Sequence, residues 1–150
     1  MNYLLDLLHN PFLIVPVVAW AASQVGKVIT HAIVYKEWDI KRLFGDGGMP
    51  SAHTATVSSL ATFAGIAYGL ASFQFAVCAI LTIVICRDAV GVRWETGKQA
   101  KILNELREII EHKETADIKL KEFVGHTPIQ VLAGAILGII VAIVMSFILR

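Results

Sequence analysis

Apolar residues fall along this chain in long runs separated by short polar stretches. The first run, Pro11 to Val34, is broken by a single charge, Lys27. From Gly47 to Cys86 there are 40 residues without a charge. That is too many for one helix across ~30 Å of hydrocarbon at ~1.5 Å rise per residue, so the run predicts two helices folded back on each other. The turn is expected near Gly69 to Phe73. Pro128 to Leu149 is a further uncharged run long enough to cross. The pattern predicts an all-α, polytopic membrane helix bundle in a single domain, 1–150, with four spans at about 11–34, 53–69, 73–89 and 128–149. Between spans 3 and 4 the chain is charged. Ile102, Leu103, Leu106, Ile109 and Ile110 recur there at helical spacing, which predicts an amphipathic helix outside the membrane over about 95–112. Residues 2–9 are expected to form a short interfacial helix.

Composition agrees with a lipid environment. Of the 150 residues, 56% are hydrophobic and 17% charged, too little polar material to coat a soluble domain. The net charge of +1 leaves no basic excess for phosphate neutralisation, which argues against a nucleic-acid partner. The segment MNYLLDLLHNP lacks a basic n-region and a small-residue cleavage site, so no cleaved signal is expected. Cys78 and Cys86 lie in one apolar segment without metal-ligand spacing and read as buried thiols. Trp20, Trp38 and Trp94 suit membrane-interface anchors.

With four spans, eleven of the thirteen basic residues fall on one side: Lys36, Lys41, Arg42, Arg87, Arg93, Lys98, Lys101, Arg107, Lys113, Lys119 and Lys121. The positive-inside rule places that side in the cytoplasm.

Three polar clusters share this side. Gly47-Gly48-Met49-Pro50-Ser51-Ala52-His53 begins span 2, with Ser51 as N-cap and His53 in the first turn. Gly125-His126-Thr127-Pro128 begins span 4, with Thr127 as N-cap and Pro128 at the first helical position. Arg87-Asp88 ends span 3 and continues through Gly91-Val92-Arg93. Two helix N-termini, each bearing a histidine, favour an anion, phosphate above all, and Lys27 and Arg87 add full positive charge. The small-residue ridges Ala61-Gly65-Gly69 and Gly134-x-x-x-Gly138 are expected to let spans 2 and 4 approach, bringing His53 near His126.

The runs GGMPSAHTA, DAVGVR with GKQA and LN, and GHTPIQVLAG, in this order, resemble the divergent branch of the type-2 phosphatidic acid phosphatases. That branch is related to vanadium-dependent haloperoxidases and bacterial acid phosphatases. The resemblance runs from about Gln24 to the C-terminus. It implies a phosphatase without metal or other cofactor, acting on a lipid phosphate through a phosphohistidine. His126 would attack phosphorus, and His53 would protonate the leaving oxygen. Lys27, Ser51, Gly48, Arg87 and Arg93 would hold phosphate oxygens, with Asp88, Gln130 and Lys121 in support. Imidazole suits both roles, because its neutral and protonated forms both exist near neutrality. Cations and N–H donors would stabilise charge on the equatorial oxygens.

The chain departs from the parent pattern at four places. Gln130 stands where a carboxylate follows the nucleophilic histidine; it can accept from Nδ1–H but cannot offset an imidazolium charge. The Arg-Pro after the motif-one lysine is missing. Leu120, between Lys119 and Lys121, stands where motif three has an arginine, and Trp94 follows Arg93 where a second arginine is usual.

Other readings stand beside these. Lys27 can snorkel to the membrane surface, since a charge within a span costs ~3 kcal/mol. Asp88 can serve as an ion-pair partner of Arg87, Arg93 or Lys27. Besides an enzyme, the residues are compatible with an anion-binding or transport protein working as a homo-oligomer. They are also compatible with a structural subunit that uses the amphipathic helix as an interface.

Overall fold

Capping chemistry sets where the helices begin. The Asn10 side chain accepts from the Phe12 N–H at 2.9 Å, and Pro11 opens the helix that follows. Ser72 accepts from the Phe75 N–H at 3.1 Å. Ser51 and Thr127 cap in the same way, as detailed below. In the computed structural model the helices are α1 (Tyr3–Leu8), α2 (Pro11–Tyr35), α3 (Ala52–Tyr68), α4 (Phe73–Val90), α5 (Val92–Ile110) and α6 (Pro128–Ile148), with a 3-10 turn at Ile40–Leu43. The described residues are 2–43, 48–110, 120 and 125–149; at 41, 42, 93 and 107–110 the description is of the backbone alone.

The protein is an all-α membrane helix bundle. Among the described residues, three stretches are long and apolar enough to cross a bilayer: Pro11–Tyr35, Phe73–Leu106 and Pro128–Ile148. The 73–106 stretch bends from α4 into α5 at Gly91, whose N–H donates to the Arg87 carbonyl at 2.8 Å. Helix α3 has 17 residues, about 26 Å, and lies at the centre, packed on α2, α4 and α6. The helices alternate in direction, up-down-up-down. Phe12 at the start of α2 meets Phe63 and Tyr68 at the end of α3, with ring centroids 5.1 Å apart in both pairs.

Polarity is inverted relative to a water-soluble core. Val77, Ile80, Leu81, Ile83 and Val84 of α4 and Ile136, Ile139, Ile140 and Ile143 of α6 are exposed, the surface that lipid tails cover. Inside lie small and hydroxyl residues: Ala19, Ser23, Thr54, Ala55, Ser59, Ala61 and Ala142. The hydroxyls return hydrogen bonds to their own helices, Ser23 to the Trp20 carbonyl at 2.6 Å and Ser59 to the Thr56 carbonyl at 2.8 Å. Thr82 of α4 also bridges to the Val57 carbonyl of α3 at 3.1 Å. Without a hydrophobic drive between helices in lipid, close backbone approach of this kind holds the bundle.

Helix α6 makes the closest approach. A methyl group on Gly134 would collide with the Ser51 carbonyl, and one on Gly138 with the Ala55 carbonyl. Gly65 and Gly69 do not take part in this contact. Gly65 instead faces Leu70 and Phe75, and Gly69 ends α3 with a φ of +84°. The reason is helical phase: Ser51, Ala55 and Ser59 form the α3 stripe facing α6, whereas Gly65 faces the returning α4.

Helix α5 turns Gly97 and Ala100 inward, while Val92, Ile102, Leu103 and Leu106 are exposed. Its charges pair along the surface, Lys98 with Glu95 at 2.8 Å and Lys101 with Glu105 at 3.8 Å. Residues 111 and 112, the end of the expected amphipathic segment, lie outside the described residues.

Candidate functional site at the starts of two helices

The starts of α3 and α6 and the end of α4 are tied together by backbone hydrogen bonds. The Ser51 N–H donates to the Gln130 carbonyl at 3.0 Å, and the His126 N–H to the Ala89 carbonyl at 3.1 Å. These bonds hold three elements far apart in sequence at one level of the bundle. Each cap then fixes a histidine. Ser51 Oγ accepts from the Thr54 N–H at 3.4 Å and the Thr54 hydroxyl at 3.1 Å, which sets His53 in the first turn of α3. Thr127 and Gln130 form a reciprocal capping box: Thr127 Oγ1 accepts from the Gln130 N–H at 3.3 Å, and Gln130 Oε1 from the Thr127 N–H at 3.0 Å.

The outcome is a histidine pair. The His53 and His126 ring centroids lie 6.3 Å apart with their planes inclined at 53°. His126 is 5% exposed, whereas His53 is exposed. His126 Nδ1 lies 3.4 Å from Gln130 Oε1, so the amide contacts both the capped N–H and the imidazole. A neutral amide orients the ring without adding negative charge.

Lys27 is a buried cation, 7% exposed on α2. Gly48 lies over its aliphatic stem: a methyl on Gly48 would come within 3.7 Å of Lys27 Cγ. The φ of +85° at Gly48 is a conformation that glycine adopts without strain. A methyl on Gly26, one position before Lys27, would come within 3.0 Å of Pro50 Cδ, so the absence of a side chain there lets the segment before Ser51 lie against α2.

The remaining candidates divide. Ser51 is wholly buried, its hydroxyl serving the cap and its N–H bonded to Gln130. Arg87 is exposed in the last turn of α4, and Asp88 is partly buried beside the Ala89 carbonyl that receives His126. The Arg93 side chain and Lys121 lie outside the described residues. The amides of Ser51, Thr54, Thr127 and Gln130 are already bonded within this cluster, which narrows the set open to an anion. Two features were not expected from sequence. The Ala89 carbonyl carries no signal, because any residue has one. The capping box was signalled by Thr127-x-x-Gln130, the spacing of a reciprocal cap. Gln24, one turn before Lys27, has a buried side-chain oxygen without a hydrogen-bond partner among the described residues.

Comparison with known proteins agrees with the sequence motifs. The chain is similar to the membrane protein YuiD of Bacillus subtilis (strain 168), 36% identical over 155 residues that cover 95% of this chain and 98% of the relative, a protein described as uncharacterized. No solved structure matches the chain significantly. The pattern that defines the Divergent PAP2 family matches residues 8–141, which includes both histidine clusters and Lys27, and the chain belongs to that family.

Proposed function

We propose that this protein is a membrane phosphatase that hydrolyses a phosphorylated lipid or isoprenoid, as mono- or diphosphate, through a phosphohistidine and without a metal. The observation that carries this reading is the pairing of His53 and His126, with ring centroids 6.3 Å apart at the starts of two adjacent helices. In the reaction, neutral His126 attacks phosphorus, a P–N bond forms, and the P–O bond to the leaving alcohol or phosphate breaks as His53 donates a proton to that oxygen. Water then attacks phosphorus, His53 takes its proton, and the P–N bond breaks to release inorganic phosphate. Lys27, held beneath Gly48, offsets charge on the equatorial oxygens, and Arg87, Arg93 and Lys121 supply further cations from the polar side. A lipid substrate reaches such a site laterally from the bilayer.

In this reading α3 crosses with α2, α4 and α6 as a fourth, short span, and the histidine pair faces the cytoplasm of a bacterial-type cytoplasmic membrane. The test is phosphate release by purified protein from lipid phosphates and diphosphates without added metal. Wild type is expected to turn over and His126→Ala to lose all turnover. Equal turnover in both would remove His126 as nucleophile.

A second reading, anion binding or transport without turnover, is favoured by Gln130. Its side chain lies 3.4 Å from His126 Nδ1 as a neutral acceptor committed to the capping box. Thermal stabilisation by inorganic phosphate, with no phosphate release across a broad substrate panel, selects this reading.

A further inference from the structure

Asn104 lies on α5, outside the histidine cluster, and grips the backbone of a residue 16 positions further on. Its Nδ2 donates to the Leu120 carbonyl at 3.0 Å, and the Leu120 N–H donates to its Oδ1 at 3.0 Å. A primary amide carries both a donor and an acceptor, so one asparagine side chain satisfies both backbone groups of a single residue. Helix α5 makes room for this. Gly97, Ala100 and Asn104 are three and four residues apart and share one face, with Gly97 and Ala100 buried. Leu120 is six residues before His126, whose own N–H is bonded to the Ala89 carbonyl at 3.1 Å. Leu120 and His126 are thus each bonded to the α4–α5 arm, Leu120 through a side chain and His126 through the backbone. Leu120 stands where the family resemblance expects an arginine, and here the position is engaged through its backbone.

We propose that Asn104 is a positioning residue, which by holding Leu120 restrains the imidazole of His126, six residues further on. The contribution to catalysis rests on the phosphatase reading; the positioning of the ring does not. Both hydrogen bonds are exposed, so their loss removes little global stability and the variants remain folded. Asn104→Asp keeps the side-chain size and the acceptor but sets a carboxylate against the Leu120 carbonyl, and it is expected to behave as Asn104→Ala does.

The experiment is hydrogen exchange by mass spectrometry on the full chain in detergent, read at the Leu120 amide and at the imidazole C2–H of His126. Wild type is expected to protect both. Asn104→Ala and Asn104→Asp are expected to deprotect Leu120 and to speed His126 exchange about fivefold, with exposed His9 unchanged as control. In phosphate release, kcat is expected to fall about tenfold with KM within about twofold, the split that separates misplacement of a reacting group from loss of fold or binding. A Leu120 amide unprotected in wild type, or one deprotected in the variants without change at His126, overturns the proposal. If wild type releases no phosphate, the phosphatase reading falls, and imidazole exchange alone decides the role of Asn104.

Discussion

At position 27 a lysine stands within an apolar helix, 7% exposed, with a glycine of positive φ over its stem. Sequence left two meanings for it, snorkelling or anion binding. Burial beside the segment that leads to Ser51 argues against snorkelling, because a snorkelling ammonium ends in water. Lys27→Met keeps the length and apolar stem while removing the charge. Phosphate release is expected to fall about 10²-fold, as for loss of one stabilising group at a developing charge. A variant with full turnover would return Lys27 to a structural role. His53 and His126 differ in the same informative way: one exposed, the other buried and oriented by Gln130. In the proposed reaction that asymmetry suits a donor open to the leaving group and a nucleophile fixed in place.

Among the elements, the contact of α3 with α6 matters most, since it sets the distance between the histidines. It depends on backbone meeting backbone at Gly134 and Gly138. Gly138→Leu places a side chain against the Ala55 carbonyl and is expected to destabilise the bundle by about 3 kcal/mol, the upper range of overpacking. Thermal unfolding in detergent reads this, and turnover in the residual folded protein should fall as the two rings separate. Gly65→Ala is the comparison, since Gly65 faces side chains of Leu70 and Phe75 that have room to shift. Similar effects at both glycines would contradict the α3–α6 geometry. Helix α5 shows the limit of periodicity as a guide. Its apolar spacing was readable from sequence, yet Gly97 and Ala100 form the buried face while Ile102, Leu103 and Leu106 stay exposed. Spacing identifies a face, and only the neighbours decide what it meets.

On the scale of the whole molecule, the bundle has two dissimilar ends. One carries the Ser51 and Thr127 caps, the histidines and Lys27; the other carries the Phe12, Phe63 and Tyr68 rings and the α3–α4 turn. In the proposed reading the first end faces the cytoplasm, the side that the distribution of Lys and Arg favours. Single cysteines at Lys36 and Leu70, both exposed, test this in a background with Cys78 and Cys86 replaced by serine. A membrane-impermeant maleimide is expected to label position 36 only in inverted vesicles and position 70 only in intact cells. The opposite pattern would put the histidine pair on the outer face. Labelling of both from one side would deny that α3 crosses.

The sequence by itself determined where α2, α3 and α6 begin. Asn10-Pro11, Ser51 and Thr127-Pro128 act on amides within three residues, so local order suffices to read them. It also determined the membrane setting, since uncharged length is a property of the chain alone. The motifs in GGMPSAHTA and GHTPIQVLAG named the histidines. Only the tertiary structure decided that those histidines share one site, because their meeting depends on two backbone bridges, Ser51 to Gln130 and His126 to Ala89, between segments distant in sequence. It also decided which glycine ridge α6 uses, since helical phase relative to a neighbour is not written in a small-x-x-x-small pattern. Finally, it gave Gln130 two contacts at once. Thr127 is its partner by spacing, but the approach to His126 depends on the fold of the turn that carries both.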